Sequence, residues 1–87
     1  MRVEHDESRH RFTISLDEGT AELTYDEFSE GVLNLQHTEV PRHARGEGVG
    51  DALVRAALGF ARERGYKVVA TCPYVQRWLM AHPEERP

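Results

Sequence analysis

Three glycines at alternate positions, Gly46, Gly48 and Gly50, are the residues of this chain whose spacing best suits the binding of a phosphate. Glycine has no side chain to block an anion, so successive backbone N–H groups can point into one concavity at the positive end of a helix. Arg45, directly before the glycines, adds a cation. The run therefore predicts a pyrophosphate site, provided that a strand precedes it and a helix follows it.

Candidates for proton transfer or nucleophilic chemistry lie on both sides of the glycine run. His37 and Glu39 are two residues apart, so they share a face if their segment is a regular strand, and an imidazole exchanges its proton near neutral pH. Cys72 lies where a strand-like segment ends and a helix-like one begins, and a helix N-terminus can favour the reactive thiolate. Tyr74 follows within the same helix-like segment. Each also has an ordinary structural interpretation, as a solvated polar side chain or as part of the core.

The elements around these residues follow from hydrophobic periodicity. Alternating or short apolar runs predict four strands at residues 9–16, 20–26, 32–40 and 66–71. A short edge strand is also expected at residues 2–4. Helical spacing predicts helices at about 48–64 and 74–81, and residues 84–87 are predicted to be frayed. This order is typical of an α+β fold. The predicted strand at 32–40, the helix at about 48–64 and the strand at 66–71 are expected to form a right-handed parallel crossover.

Turn and cap residues support the predicted helix ends. Gly65 suits the left-handed position after the first helix, and Pro73 suits the first turn of the second. Residues 26–31 are predicted as a polar connection, with Phe28 as the only large apolar residue in it. Gly59 lies inside the first helix, where it either marks close packing against the sheet or is merely tolerated.

Size and composition restrict the class of protein. A chain of 87 residues with 39% hydrophobic and 30% charged residues predicts one globular domain over residues 1–87. The single cysteine excludes an internal disulfide and suits a reducing compartment. No segment approaches the roughly 20 apolar residues of a membrane span, and the histidines lack metal-ligand spacing. We expect a cytoplasmic protein without a metal or a membrane partner.

Charge is distributed unevenly along the chain. The formal net charge is −4, but residues 1–40 contain ten acids and three bases, whereas residues 41–87 contain five acids and eight bases. A phosphate-bearing ligand is therefore favoured near the second half, although the asymmetry equally fits an ordinary solvated surface. An acidic chain with a pI near 5.7 is not expected to bind nucleic acid.

The glycine run and its flanks resemble the GNAT superfamily of acetyl-CoA-dependent N-acetyltransferases. After Thr38–Glu39–Val40–Pro41, Arg45 and the last two glycines of the run occupy the defined positions of that superfamily's R/Q-x-x-G-x-G/A signature. The run Cys72–Pro73–Tyr74–Val75 resembles a branch of very short, minimal GNAT-like proteins. The resemblance implies a minimal GNAT-like fold, which has a twisted, mostly antiparallel sheet with a splayed parallel strand pair and two helices.

The resemblance also implies acetyl-CoA as the cosubstrate, with its pyrophosphate at the glycine run and its pantetheine arm along the preceding strand. The implied coenzyme contacts are Thr38, Val40, Arg45, Gly46, Glu47, Gly48, Val49, Gly50 and Asp51. Arg42, His43 and Arg77 are further candidates to meet its phosphates. Asp51 adds a carboxylate near those phosphates, so either its side chain points away or the affinity for the coenzyme is moderated.

The implied activity is acetyl transfer to an amine by direct attack in a ternary complex, with Cys72, His37, Tyr74 and Glu39 as the candidate catalytic residues. Many members of the superfamily place a tyrosine in the final helix that protonates the leaving thiolate, and Cys72 is a candidate acid, base or transient acetyl acceptor. The helices that shape the acceptor site in longer members are missing, so an open, shallow pocket is expected. The acceptor is a protein lysine, a peptide or a small amine, and the protein is expected to be a monomer or weak dimer.

Other classes of protein fit the residues less well or stay open. No Gly-Lys-Ser/Thr follows the glycines as in a P-loop, and their spacing is not that of a dinucleotide-binding fold. A non-catalytic acetyl-CoA-binding or protein-interaction module stays open, as does a run of glycines that only makes a tight turn.

Overall fold

The computed structural model describes residues 1–87, which form a five-stranded sheet and two helices. The elements in chain order are β1 (Glu4–Asp6), β2 (Arg11–Leu16), β3 (Gly19–Ser29), β4 (Val32–Glu39), α1 (Val49–Arg64), β5 (Lys67–Ala70) and α2 (Pro73–Ala81). The strands lie side by side in chain order. The first four are antiparallel and β5 runs parallel to β4. The predicted α+β fold, mostly antiparallel with one parallel pair and two helices, is confirmed.

Three strands have boundaries that differ from the prediction by two residues or more. Residues 7–9 form a turn of 3₁₀ helix that ends at His10 with φ of 55°, so the strand expected from residue 9 begins at Arg11. The segment expected as a polar connection from Asp26 continues as strand to Ser29, because it pairs with β4 at every residue except Phe28, where the register shifts. The edge strand expected at residues 2–4 lies at Glu4–Asp6 instead.

A bulge in β4 changes which face its side chains occupy. Leu35 pairs with Tyr25 and His37 pairs with Thr24, so Gln36 is an extra residue on β4. Leu35 and Tyr25 are buried in the core, whereas His37 and Thr24 lie on the opposite face. Pairing is regular again from residue 37 to residue 39, so the predicted shared face of His37 and Glu39 is retained.

The parallel strands β4 and β5 separate after Leu35. They pair only over residues 32–35 and 67–70, and the N–H groups of Thr71 and Cys72 both donate to the Leu35 carbonyl at 3.2 Å. Beyond this point β4 continues to Glu39, whereas the other chain segment turns into α2. The edge of β4 that faces β5 is therefore left without a strand partner over its last residues, as a splayed pair requires.

A single apolar cluster of 19 buried residues joins the sheet to both helices. The buried side of α1 carries Val49, Leu53, Val54, Ala57, Leu58 and Ala61, the 3.6-residue spacing expected of a helix that covers a sheet. Gly65 ends α1 with φ of 72° and donates to the Ala61 and Arg62 carbonyls, and Pro73 lies in the first turn of α2. Both predicted caps are confirmed. A Cβ at Gly59 would contact nothing within 4 Å, so this glycine is not required for packing.

The C-terminal tail is attached to the domain, contrary to the expectation of a frayed end. Residues 83–85 form a 3₁₀ turn, and Glu85 accepts hydrogen bonds from Arg55 through its carboxylate at 3.0 Å and from Arg62 through its carbonyl at 2.9 Å. Arg86 donates to the Val68 carbonyl at 3.0 Å. The prediction was wrong because these partners lie 18 to 30 residues away in the sequence. No helix in the structure is both long and apolar enough to cross a membrane.

Candidate functional site

A groove of about 790 Å³ lies where β4 and β5 separate. The free edge of β4, the loop before α1, the first turn of α1 and the start of α2 form its walls. Its lining residues are His37, Thr38, Glu39, Val40, Ala44, Arg45, Gly46, Gly48, Val49, Gly50, Asp51, Tyr74 and Arg77. The groove brings together all the predicted catalytic and coenzyme-contact residues except Glu47 and Cys72, and it includes the further phosphate candidate Arg77 and the unpredicted Ala44. Arg42 and His43 do not line it.

The glycine run forms a turn whose N–H groups are free. Gly46 and Gly48 have φ of 86° and 84°, a left-handed conformation that other residues adopt at a cost. Gly48 is the N-cap of α1, so the first N–H groups of the helix have no acceptor within it. None of the backbone N–H groups from Gly46 to Asp51 donates a hydrogen bond elsewhere in the protein. A concave set of unpaired donors at a helix N-terminus is suited to an anion.

Tyr74 contacts the first turn of α1. A Cβ placed on Gly50 would lie 2.6 Å from the Tyr74 hydroxyl oxygen and 2.9 Å from Cζ, so a larger residue here would require the Tyr74 side chain to move. Burial raises the pKa of Tyr74 above its ordinary value, and the nearby Asp51 carboxylate and Cys72 add to the rise. The phenol is therefore protonated at neutral pH and can donate a proton inside the groove.

The carboxylate of Asp51 is bound by two side chains. Its Oδ1 accepts from the indole N–H of Trp78 at 2.8 Å, and its Oδ2 accepts from Arg55 Nε at 3.0 Å. Burial alone would raise the pKa of Asp51, but the hydrogen bonds from Trp78 and Arg55 outweigh it and hold this pKa below its usual range. Sequence reasoning missed Trp78, which lies 27 residues from Asp51 without a local pattern that links them.

His37 and Glu39 lie at the rim of the groove. Their side chains are 62% and 69% exposed, and His37 Nε2 lies 3.9 Å from Glu39 Oε1. Exposure lets both groups meet a molecule that arrives from solvent. The imidazole and the carboxylate are neighbours, but their separation exceeds hydrogen-bond distance.

Cys72 lies behind the groove wall. It is the N-cap of α2 and only 3% exposed, and its Sγ is 3.6 Å from Thr38 Oγ1. Thr38 itself lines the groove, so the thiol is one side chain removed from it. The catalytic role predicted for Cys72 stays a prediction, and the burial of the thiol outside the groove favours a structural role instead.

Two arginines place positive charge at the groove. Arg45 is exposed and donates from Nε to the Val40 carbonyl at 3.2 Å, which joins the glycine run to the end of β4. Arg77 reaches the same groove from α2. Together with the free N–H groups, they make this end of the groove suitable for phosphate oxygens.

A mixed sheet whose parallel strands splay apart beside a glycine turn at a helix start defines a GNAT-type domain. The chain belongs to the GCN5-related N-acetyltransferase family, whose model matches residues 11–86. The family resemblance seen in the sequence is therefore confirmed.

Known proteins similar to this chain cover nearly all of it. Protein NATD1 of Homo sapiens is 40% identical over 85 residues, which are 95% of this chain and 75% of that protein. Protein NATD1 of Gallus gallus is 39% identical, over 95% of this chain and 77% of that protein.

Two solved structures are also similar to this chain. The NMR solution structure of a GCN5-like protein from Staphylococcus aureus matches with a TM-score of 0.78 and 30% identity, over 97% of this chain and 82% of that chain. The crystal structure of Ard1 from Thermoplasma volcanium matches with a TM-score of 0.63 over 70% of this chain and 43% of that one. At 21% identity, the second match shows the fold alone.

Proposed function

We propose that this protein transfers an acetyl group from acetyl-CoA to an amine by direct attack in a ternary complex. The observation that carries the proposal is the groove between the separated strands, which has free N–H groups of the glycine turn at one end and an unpaired strand edge along its wall. Membership of the acetyltransferase family supports the same activity.

Binding of the coenzyme follows from the polar groups of the groove. The N–H groups from Gly46 to Asp51, with Arg45 and Arg77 beside them, suit the pyrophosphate. The free edge of β4 at Thr38 to Val40 offers backbone donors and acceptors to the amides of the pantetheine arm, as an added strand would use them. The acetyl group would then lie near the point where β4 and β5 separate.

The chemistry requires an ammonium acceptor to lose two protons, one before and one after attack, and the departing thiolate to gain one. His37 at the rim, with the Glu39 carboxylate 3.9 Å away, takes a proton from the incoming ammonium group. The neutral nitrogen forms a bond to the thioester carbon, the carbon–sulfur bond breaks, and Tyr74 donates its proton to the departing thiolate. The second proton that the nitrogen loses returns to the Tyr74 phenolate and restores the phenol. A backbone N–H on the free edge of β4 can stabilise the charge that develops on the carbonyl oxygen.

A non-catalytic acetyl-CoA-binding module is the second candidate. The observation in its favour is that Cys72 is buried outside the groove and that His37 and Glu39 are mostly exposed at 62% and 69%, which leaves the imidazole loosely held. The groove would then bind the coenzyme without turnover.

Titration with acetyl-CoA followed by an acceptor screen tests both candidates. Ligand at 100 times its Kd stabilises a native state by about 2.7 kcal/mol, which raises the Tm of a small domain by on the order of 10 °C. An unchanged Tm at millimolar acetyl-CoA would reject enzyme and binder together. The acceptor screen measures release of the coenzyme A thiol with lysine peptides, N-terminal peptides and small amines. Thermal stabilisation together with thiol release supports the enzyme. Thermal stabilisation without thiol release from any acceptor supports the binder.

A further inference from the structure

Asp51 does not make the hydrogen bond that its position in α1 favours. It is the third helical residue after the N-cap Gly48, where an acidic side chain commonly accepts from the backbone N–H of the N-cap residue. The N-cap of α1 has no side-chain hydrogen bond. The Asp51 carboxylate instead accepts from Trp78 at 2.8 Å and from Arg55 at 3.0 Å.

An Asp51 carboxylate turned back to Gly48 would compete with a phosphate ligand. It would occupy an N–H group that lines the groove, and it would place a negative charge where a pyrophosphate carries its own. The carboxylate is ionised at neutral pH, since its pKa is held below the usual range. The rotamer of Asp51 therefore decides how much of the glycine turn is open to an anion.

Trp78 is held so that its N–H points at Asp51. Its side chain is 7% exposed, and its ring stacks on His82 with centroids 4.0 Å apart and planes inclined by 20°. The Arg55 guanidinium lies 5.1 Å from the centroid of the Trp78 ring and is fixed in turn by Glu85 at 3.0 Å. The donor that binds Asp51 is thus fixed by contacts from α1, α2 and the C-terminal tail.

We propose that Trp78 is a positioning residue that holds the Asp51 carboxylate away from the N–H groups that bind the coenzyme pyrophosphate. This inference rests on the proposed function, because it assigns Trp78 a part in acetyl-CoA affinity. Without the indole N–H, the Asp51 carboxylate keeps only Arg55 as a partner away from the N-cap, and its released Oδ1 can turn back to the N-cap and compete with the ligand.

The test compares Trp78→Phe with Trp78→Phe/Asp51→Ala, and Asp51→Ala alone serves as the reference for the double variant. Both variants have the same altered packing at position 78, so a difference between them reports the carboxylate alone. Isothermal titration with acetyl-CoA is expected to show a Kd about 2- to 30-fold higher for Trp78→Phe than for wild type, the range that corresponds to one helix-capping hydrogen bond. The double variant is expected to return to within about twofold of Asp51→Ala.

The outcomes separate this inference from the proposed function. Wild-type protein that does not bind acetyl-CoA rejects the proposed function, and the inference falls with it. Binding by wild type with an unchanged Kd in Trp78→Phe overturns the inference alone, and so does an equal loss of affinity in the single and double variants. If Trp78→Phe does not fold, replacement of the chain's single tryptophan by benzothienylalanine keeps the ring shape and removes only the N–H.

Discussion

Gly50 of α1 and Tyr74 of α2 touch so closely that no other residue fits at position 50 without movement. A Cβ there would lie 2.6 Å from the Tyr74 hydroxyl oxygen, well inside van der Waals contact. The family signature accepts glycine or alanine at this position, but in this chain the Tyr74 ring occupies the space that an alanine Cβ would need. The contact joins the two helices at the groove and fixes where the phenol lies.

Gly50→Ala is expected to destabilise the protein by about 1 to 3 kcal/mol, because overpacking forces Tyr74 or α2 to move. Urea unfolding measures the change. Gly59→Ala in the same helix is the matched control, since its Cβ would meet nothing within 4 Å. It is expected to stabilise the protein by about 1 kcal/mol. Equal effects of the two substitutions would contradict the contact between Gly50 and Tyr74.

Gly48→Glu is expected to abolish the thermal stabilisation by acetyl-CoA, because a carboxylate in the glycine turn excludes and repels the pyrophosphate. Gly31→Glu in the β3–β4 turn is the control, since Gly31 has a similar φ of 76° and a Cβ in open space, as at Gly48. It should lose comparable folding stability and keep its response to ligand. An undiminished response of Gly48→Glu would remove the turn from the binding site.

Tyr74→Phe is expected to slow turnover by about 100-fold with little change in the affinity for acetyl-CoA, because it deletes only the proton donor. Burial raises the pKa of Tyr74, so the phenol stays protonated beyond the ordinary range of tyrosine. The wild-type rate should therefore show no alkaline decline from this group below about pH 10. A decline at lower pH that disappears in Tyr74→Phe would contradict the direction of the shift.

Cys72→Ala is expected to keep acetyl-CoA affinity and turnover within a few-fold of wild type, because the thiol is 3% exposed and separated from the groove by Thr38. Steady-state kinetics with single-turnover mass spectrometry measure both quantities. Turnover slowed by about 100-fold or more, with coenzyme affinity unchanged, would place the thiol in the reaction. An acetylated Cys72 in the wild type would do the same.

Asp51→Asn is expected to flatten the acid side of the stability profile. The folded pKa of Asp51 lies below its unfolded value, so its contribution is complete above the unfolded pKa and is lost as the pH falls through the folded one. Urea unfolding from about pH 6 to about pH 2 should show a smaller slope in the variant. Parallel curves for wild type and variant would mean that Trp78 and Arg55 do not stabilise the charged form.

Local patterns in the sequence were sufficient for the element order, the helix caps and the glycine turn. Gly46 and Gly48 line the groove as the glycine spacing predicted, and His37 and Glu39 reach the same groove. The bonds to Asp51 and Glu85 were not predictable in this way, because their partners are 27 and 30 residues distant. The burial of Cys72 likewise depends on how α2 packs against β4, which no single segment determines.

The extra residue Gln36 reverses which face of the sheet the following side chains of β4 occupy. Residues 35, 37 and 39 would all face one way in an uninterrupted strand, yet here Leu35 enters the core and His37 and Glu39 face outward. Deletion of Gln36 would restore one regular alternation of side chains along β4. The side chains of His37 and Glu39 would then be turned toward the core, or Leu35 would be turned out of it. The length of β4 at this point therefore determines whether His37 and Glu39 are presented at the groove.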